Sequence, residues 1–245
     1  MKKSLIPLLI LLCAFISFSG CDTLTAIQNS TTIPGQTTPT QFEIGSALKQ
    51  ALEFGTTKSS DRLSTVDGFF ANAAVKILFP PEAQKVENTL RTLGLGKLAD
   101  NVILSMNRAA EDAAKQAKPI FIAAVKQMTI QDVTNILFGS QDAATQYFKR
   151  TTTDGLSLAF KPIIQNSLNK VGATKYYTDA ATAYNKVPFV TKVNPDISDY
   201  VMRKAIDGLF IEIAEEEMNI RKNLSARTTP LLQKVFSYAD RNKKY

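Results

Sequence analysis

From Gln41 onward, apolar residues recur every three or four positions with polar residues between them. That period belongs to an amphipathic helix, not to a strand. Thr40 and Glu43 fit a capping box, in which a hydroxyl and a carboxylate three residues apart satisfy two orphan amides. Ile44, Leu48, Ala51, Leu52 and Gly55 then form one helix face that fades near Leu63. Val66-Asp67-Gly68-Phe69-Phe70 reads as a turn, followed by a short apolar segment to Phe79 that Pro80-Pro81 ends. Pro81 suits the first turn of a helix to Leu93. Gly94 and Gly96 break the chain before a helix expected over Lys97–Lys118, and Pro119 starts or kinks the next one.

The second half is punctuated in the same way. Thr129–Asp132 is another box-like cap, opening a short helix to Phe138 that Gly139 ends. Ser140 or Asp142 caps Ala143–Lys149, and a separate helix is expected through Leu156, Phe160, Ile163, Ile164 and Leu168 to Gly172. One more runs from Thr174 to about Lys186. After a loop containing Pro188 and Pro195, Ser198 or Asp199 caps a long helix to Leu224. Thr229-Pro230 then opens a last one carrying Leu231, Leu232, Val235 and Phe236. No stretch alternates convincingly, so the expectation is an all-α, single compact domain of nine to eleven helices.

The first forty residues follow a different pattern. Lys2 and Lys3 precede an apolar run from Leu5 to Phe18, and Phe18-Ser19-Gly20-Cys21 follows. A charged start, a short apolar run and small residues mark a secretory signal, too short for the roughly 20 residues a bilayer core needs. Small residues before Cys make a lipobox, with Phe18 where Leu is usual. The expected organisation is a signal peptide over 1–20, a lipidated Cys21 with a flexible tether over 21–41, and a helical domain over 42–240. The tether is rich in Thr, Ser, Asn, Gln, Pro and Gly, and spans roughly 25 Å on average. Cys13 leaves with the signal, so Cys21 is the only mature thiol and cannot form an intramolecular disulfide.

Composition narrows the chemistry. Losing Lys2 and Lys3 lowers the formal charge from +7 by two, to +5. The basic residues are dispersed apart from Arg241-Asn242-Lys243-Lys244, which disfavours nucleic acid and leaves a mild affinity for anionic headgroups. The chain has no His and no Trp. Without His there is no ordinary catalytic triad and no His-ligated metal, so no cofactor and no metal site are expected. Asp67-Gly68 and Asp142 lack the alternating donors of a calcium loop. Gly94-Leu95-Gly96-Lys97 lacks the strand and spacing of a phosphate loop. Tyr147, Tyr176, Tyr177, Tyr184 and Tyr200 read as core-edge residues, with a groove for glycan or peptide as the sharper alternative.

Several blocks together resemble a known family. They are Asp67-Gly68-Phe69, Asn107-Arg108-Ala109-Ala110-Glu111, Asp142-Ala143-Ala144-Thr145-Gln146-Tyr147-Phe148 and Asp199-Tyr200-Val201 with Asp207-Gly208-Leu209-Phe210. Glu215-Glu216-Glu217 with Ile220-Arg221, Ala226-Arg227-Thr228-Thr229 and Leu231–Phe236 complete the set. Their order and spacing resemble the domain of unknown function 4197 family over about Phe42 to Phe236. Where that family often has Pro after Glu111, this chain has Lys115 and Gln116. The resemblance implies an exported, mainly helical protein, often with a lipoprotein signal, and implies no activity.

The polar residues of those blocks are the candidate site. Arg108 and Glu111 are three apart and share a helix face, and Glu217 and Arg221 are four apart in the favoured order. A simple reading makes them helix-surface salt bridges of about 0.3–0.5 kcal/mol. The sharper reading gathers Arg108, Glu111, Asp207, Glu216, Arg221 and Arg227 into one partly buried network, a binding pocket or a register device. The functional expectation is a non-enzymatic envelope lipoprotein, held by lipid on the periplasmic or outer-membrane side, that binds a protein, peptide or lipid. The alternatives are a carboxylate-dependent hydrolase of an envelope polymer, working through Glu111 and Glu215–Glu217, and a purely structural role.

Overall fold

The computed structural model describes residues 38–170 and 173–242. The expected signal peptide, Cys21, the tether as far as Thr37, Gly172 and the tail Lys243-Lys244 lie outside the described residues, as does the side chain of Tyr176. Among the described residues there are nine α-helices, two short 3₁₀ turns and no strand. The helices are α1 Gln41–Leu63, α2 Gln84–Thr92, α3 Gly96–Ala114, α4 Ala117–Gln127, α5 Ile130–Leu137, α6 Ala143–Lys170, α7 Ala173–Asn185, α8 Ser198–Lys222 and α9 Pro230–Asn242. None is long and apolar enough to cross a membrane.

The capping boxes form as the pattern predicts. Thr40 accepts from the Glu43 amide at 3.2 Å, and Thr129 accepts from the Asp132 amide at 3.1 Å. The expected face of α1 is buried throughout. Three boundaries differ from expectation, each for a local reason. The helix expected to Lys118 stops at Ala114, because Pro119 would clash with the carbonyl four residues back. Pro119 instead occupies the first turn of α4, where its missing N–H is harmless. The two helices expected between Ala143 and Gly172 are a single α6. Thr151, Thr152 and Thr153 would favour a break, but each hydroxyl donates to the carbonyl four residues back. Finally, α8 starts at Ser198 without a side-chain cap at Ile197; the Asp196 carboxylate instead accepts from the Ser198 amide.

The core is built around α6 and α8, with α3 packed across both and α1 against α4, α8 and α9. Ala109, Ala110, Ala113, Ala114 and Ala117 are fully buried, so α3 and the start of α4 approach their neighbours closely. Phe121 packs edge-on against Phe148 at 5.4 Å and Phe210 at 6.3 Å, joining α4, α6 and α8.

Candidate functional site

Between α1 and α2 the chain crosses the faces of α3 and α8 without forming a helix. Asp67 opens this crossing in the left-handed region, at φ 68°. The next residue must be small, since a Cβ on Gly68 would lie 2.5 Å from the Arg62 carbonyl. Glu111, almost fully buried, accepts from the amides of Phe69 at 3.1 Å and Phe70 at 3.2 Å. Arg108 donates to Glu111 at 2.7 Å and to Asp67 at 2.7 Å, and these bonds raise its guanidinium pKa above the ordinary value. Glu212, 1% exposed, accepts from Arg62 at 2.8 Å and Asn72 at 2.7 Å. On α8, a Cβ at Gly208 would lie 2.6 Å from the Phe69 ring, so glycine there lets the crossing segment lie flat on the helix.

A turn in which the amides of Val75 and Lys76 donate to the Asn72 carbonyl leads into Ile77-Leu78-Phe79, which lies in neither helix nor turn, and burial alternates buried, exposed, buried, exposed, buried from Val75 to Phe79. This is the period of a strand, and no strand lies beside it among the described residues. Asn107 takes the partner's place. Its Oδ1 accepts from the Ile77 amide at 2.9 Å, and its Nδ2 donates to the Ile77 carbonyl at 2.8 Å and the Ile103 carbonyl at 2.7 Å. The N–H and C=O of adjacent residues in an extended chain point to opposite sides. Those of Leu78 therefore point away from α3, and they have no hydrogen-bond partner among the described residues. Asn185 repeats the device, bonding both backbone groups of Val193 at 2.8 Å. The neighbouring Tyr177 hydroxyl donates to the Asn194 carbonyl at 3.0 Å, and burial pushes its pKa up to about 12.

A groove of about 600 Å³ separates residues 74–81 from the start of α6 and the middle of α8. Val75, Phe79, Phe210 and Ile211 give it apolar walls, and Lys76, Lys149, Lys204, Tyr200, Asp142 and Asp207 bring polar groups to it. The three lysines have no carboxylate within ion-pair distance among the described residues. Lys76 lies 4.1 Å from the Phe70 ring centre, Lys149 5.8 Å from Phe210 and Lys204 6.0 Å from Tyr200. Burial raises the Tyr200 pKa above its ordinary value. Hydrogen bonds from Ser140 and Gln146 lower that of Asp142.

The six candidate residues fall into separate groups. Arg108 and Glu111 clamp the Asp67 turn. Glu216 meets Lys58 at 2.6 Å and Arg62 at 3.8 Å. Arg221 donates to Glu217 at 2.8 Å and to the Ile136 carbonyl at 2.7 Å, while Glu217 accepts from the amides of Ala144 at 3.0 Å and Thr145 at 2.9 Å. A carboxylate thus sits at the start of α6 and a guanidinium at the end of α5, each facing the helix end that favours its charge. Arg227, 1% exposed, donates to the carbonyls of Ile220 and Arg221 at the end of α8. Its Nη1 lies 2.8 Å from Asp240 without an aligned hydrogen bond. Asp207 alone of the six lines the groove. Sequence reasoning passed over Lys76, Lys149 and Lys204, which come from three distant segments with no shared pattern. Among the described residues no three His, Cys, Asp or Glu side chains gather as metal ligands.

A family model described as "Protein of unknown function (DUF4197)" matches residues 38–237. The chain belongs to this family. The match spans every helix from α1 through the first half of α9, and it includes both the clamped crossing segment and the groove. No curated protein and no solved structure matches the chain.

Proposed function

We propose that this DUF4197 protein is a lipid-anchored envelope protein whose helical domain binds, without catalysis, an extended anionic peptide segment of a partner protein. The observation that carries the reading is the segment Ile77–Phe79, which leaves the Asn72 turn with a strand's alternation of burial. Asn107 closes its inner edge, and the free edge at Leu78 borders a groove rimmed by three unpaired lysines. An extended peptide adding to a free edge gains backbone hydrogen bonds, and its alternate side chains enter the apolar floor. The lysines favour acidic residues in that peptide. The anchor rests on Cys21, the only thiol left after signal cleavage. The hydrolase reading has no comparable support. Glu111 and Glu217 accept from backbone amides and arginines, Glu216 pairs with Lys58 and Arg62, and Glu215 is exposed and does not line the groove.

Two measurements test this. Mass spectrometry of the mature N-terminus is expected to find an acylated Cys21, and a free thiol there refutes the anchor. A photo-crosslinking amino acid at Leu78, compared in cells with one at the more exposed Leu158 on α6, is expected to yield adducts to acidic peptide segments at Leu78 alone. Equal yields at both positions, or adducts without acidic segments, refute the groove assignment.

A further inference from the structure

The first turns of α1 and α5 lie side by side across a shallow groove of about 370 Å³. Large apolar residues in a helix of this fold mostly turn inward, and here two do not. Phe42 is 83% exposed and Ile130 is 72% exposed, and both line that groove, with Met128 and Val133 buried beneath them. Single exposed apolar residues need no explanation, but two flanking one cleft make a continuous apolar face.

The charges around this face are not balanced within it. Glu43 is engaged by its own capping box and by Lys234 at 2.7 Å, and Asp132 by the box with Thr129. Lys49 also lines the groove, and among the described residues its ammonium meets only the Lys126 carbonyl, at 3.4 Å. The ammonium of Lys126 is exposed and meets no carboxylate among the described residues. Two bulky apolar side chains beside Lys49, with Lys126 exposed two residues before Met128 at the groove, match an interfacial surface. The apolar groups enter the headgroup–acyl boundary and the cations meet anionic headgroups.

The chain's own connectivity says which surface is within reach. The described chain begins at Thr38, directly before Phe42, and Cys21 lies only a short tether upstream. A chain of that composition and about twenty residues spans roughly 25 Å on average. An anchored Cys21 therefore holds the start of α1 close to the bilayer, at an effective concentration on the order of millimolar. A face too weak to recruit the protein unaided is sufficient to orient it once anchored.

We propose that Phe42, Ile130, Lys49 and Lys126 form a docking face for the anionic bilayer that holds Cys21, so that the domain lies on the membrane in one orientation. This rests on the anchoring reading and is independent of the peptide groove.

The test places an environment-sensitive fluorescent amino acid at Phe42, Ile130 or Leu93 in the mature lipidated protein, reconstituted in phosphatidylethanolamine–phosphatidylglycerol vesicles. Leu93 is 68% exposed on the turn between α2 and α3 and serves as the reference. Probes at 42 and 130 are expected to shift to the blue and to be quenched several-fold more by nitroxide lipids than the probe at 93. Replacing phosphatidylglycerol by phosphatidylcholine is expected to weaken that quenching. Equal quenching at all three positions overturns the proposal. A blue shift that appears without vesicles and grows with protein concentration assigns the face to a second copy of the chain, and also overturns it. An intact mass of the same sample reads lipidation separately. If Cys21 is unmodified, the anchoring reading fails on that result alone. The probes still decide the face at high vesicle concentration, where quenching confined to 42 and 130 supports it and uniform quenching sinks it.

Discussion

Asn107 supplies from one side chain what a neighbouring strand supplies from its backbone. Its amide has both a donor and an acceptor, so it pairs with both groups of Ile77 and with the Ile103 carbonyl. Asp at this position keeps the acceptor but sets a second oxygen against two carbonyls. We expect Asn107→Asp to cost about 3 kcal/mol at neutral pH, the scale of an uncompensated buried charge. Burial and those carbonyls favour the protonated acid, which can donate one bond, so its folded pKa is raised. The protonated form then stabilises the fold below the ordinary carboxylate pKa, and that contribution is lost as pH rises through the raised one. Urea titrations at pH 4 and pH 7 should show the deficit against wild type growing with pH; a pH-independent deficit counts against this account. The same scale shows what sequence could reveal. The spacing of Arg108 with Glu111, and of Glu217 with Arg221, is legible because helix geometry fixes which residues share a face. Their further partners are not. The Phe69 amide is 42 residues from Glu111, and the Ala144 amide is 73 from Glu217. That is why pairs that read as surface salt bridges are in fact clamps between segments.

Helix starts were legible for a related reason: a capping box is local chemistry. In α5 the Thr129 hydroxyl, and after it the Thr129 amide, hold the Asp132 pKa below its ordinary value. A lowered carboxylate pKa contributes stability above the unfolded value and loses it as pH falls through the folded one. Asp132→Asn should therefore cost roughly 0.3–1 kcal/mol near pH 7, and the difference should vanish in acid, as followed by thermal melts. A gap that persists at pH 2 contradicts the assignment. Helix continuity was less legible. Gly155 and three threonines suggest a break, but only the packing of α6 along α3 and α8 decides that the helix continues. The glycines make the point testable. A Cβ at Gly155 would sit 3.6 Å from Ile120, an ordinary contact, whereas one at Gly208 would meet Phe69 at 2.6 Å. Helix propensity alone predicts that both Ala variants gain about 1 kcal/mol. We expect Gly155→Ala to gain that amount. Gly208→Ala should instead lose up to about 2 kcal/mol, because overpacking of about 1–3 kcal/mol offsets or outweighs the propensity gain. Equal melting shifts for the two would show that the crossing segment does not press on α8.

Across the whole molecule, two sets of cations have different jobs. Arg108, Arg221 and Arg227 are tied to carboxylates and backbone carbonyls and hold segments together. Lys76, Lys149 and Lys204 are exposed, pair with no described carboxylate and meet at one groove. The all-α class follows from periodicity. The meeting of these three lysines does not, because it depends on how the crossing segment, α6 and α8 pack. The two sets should respond oppositely to substitution. Reversing both Lys149 and Lys204 to Glu breaks no ion pair, so stability should change by no more than about 0.5 kcal/mol, the usual range for surface positions. Any anionic peptide in the groove loses two favourable charges and gains two repulsive ones. Its binding should weaken at least tenfold, about 1.4 kcal/mol, and the salt dependence of binding should reverse, since added salt then screens repulsion. Arg221→Ala should instead cost about 3–5 kcal/mol of stability by leaving the buried Glu217 without its charged partner. Any loss of peptide binding there should follow the unfolded fraction. Calorimetric unfolding combined with titration of an acidic peptide captured at Leu78 separates the two. A charge-reversed protein that melts like wild type and binds that peptide equally well would show that the lysines are only a solvated rim and that the groove is not the binding site.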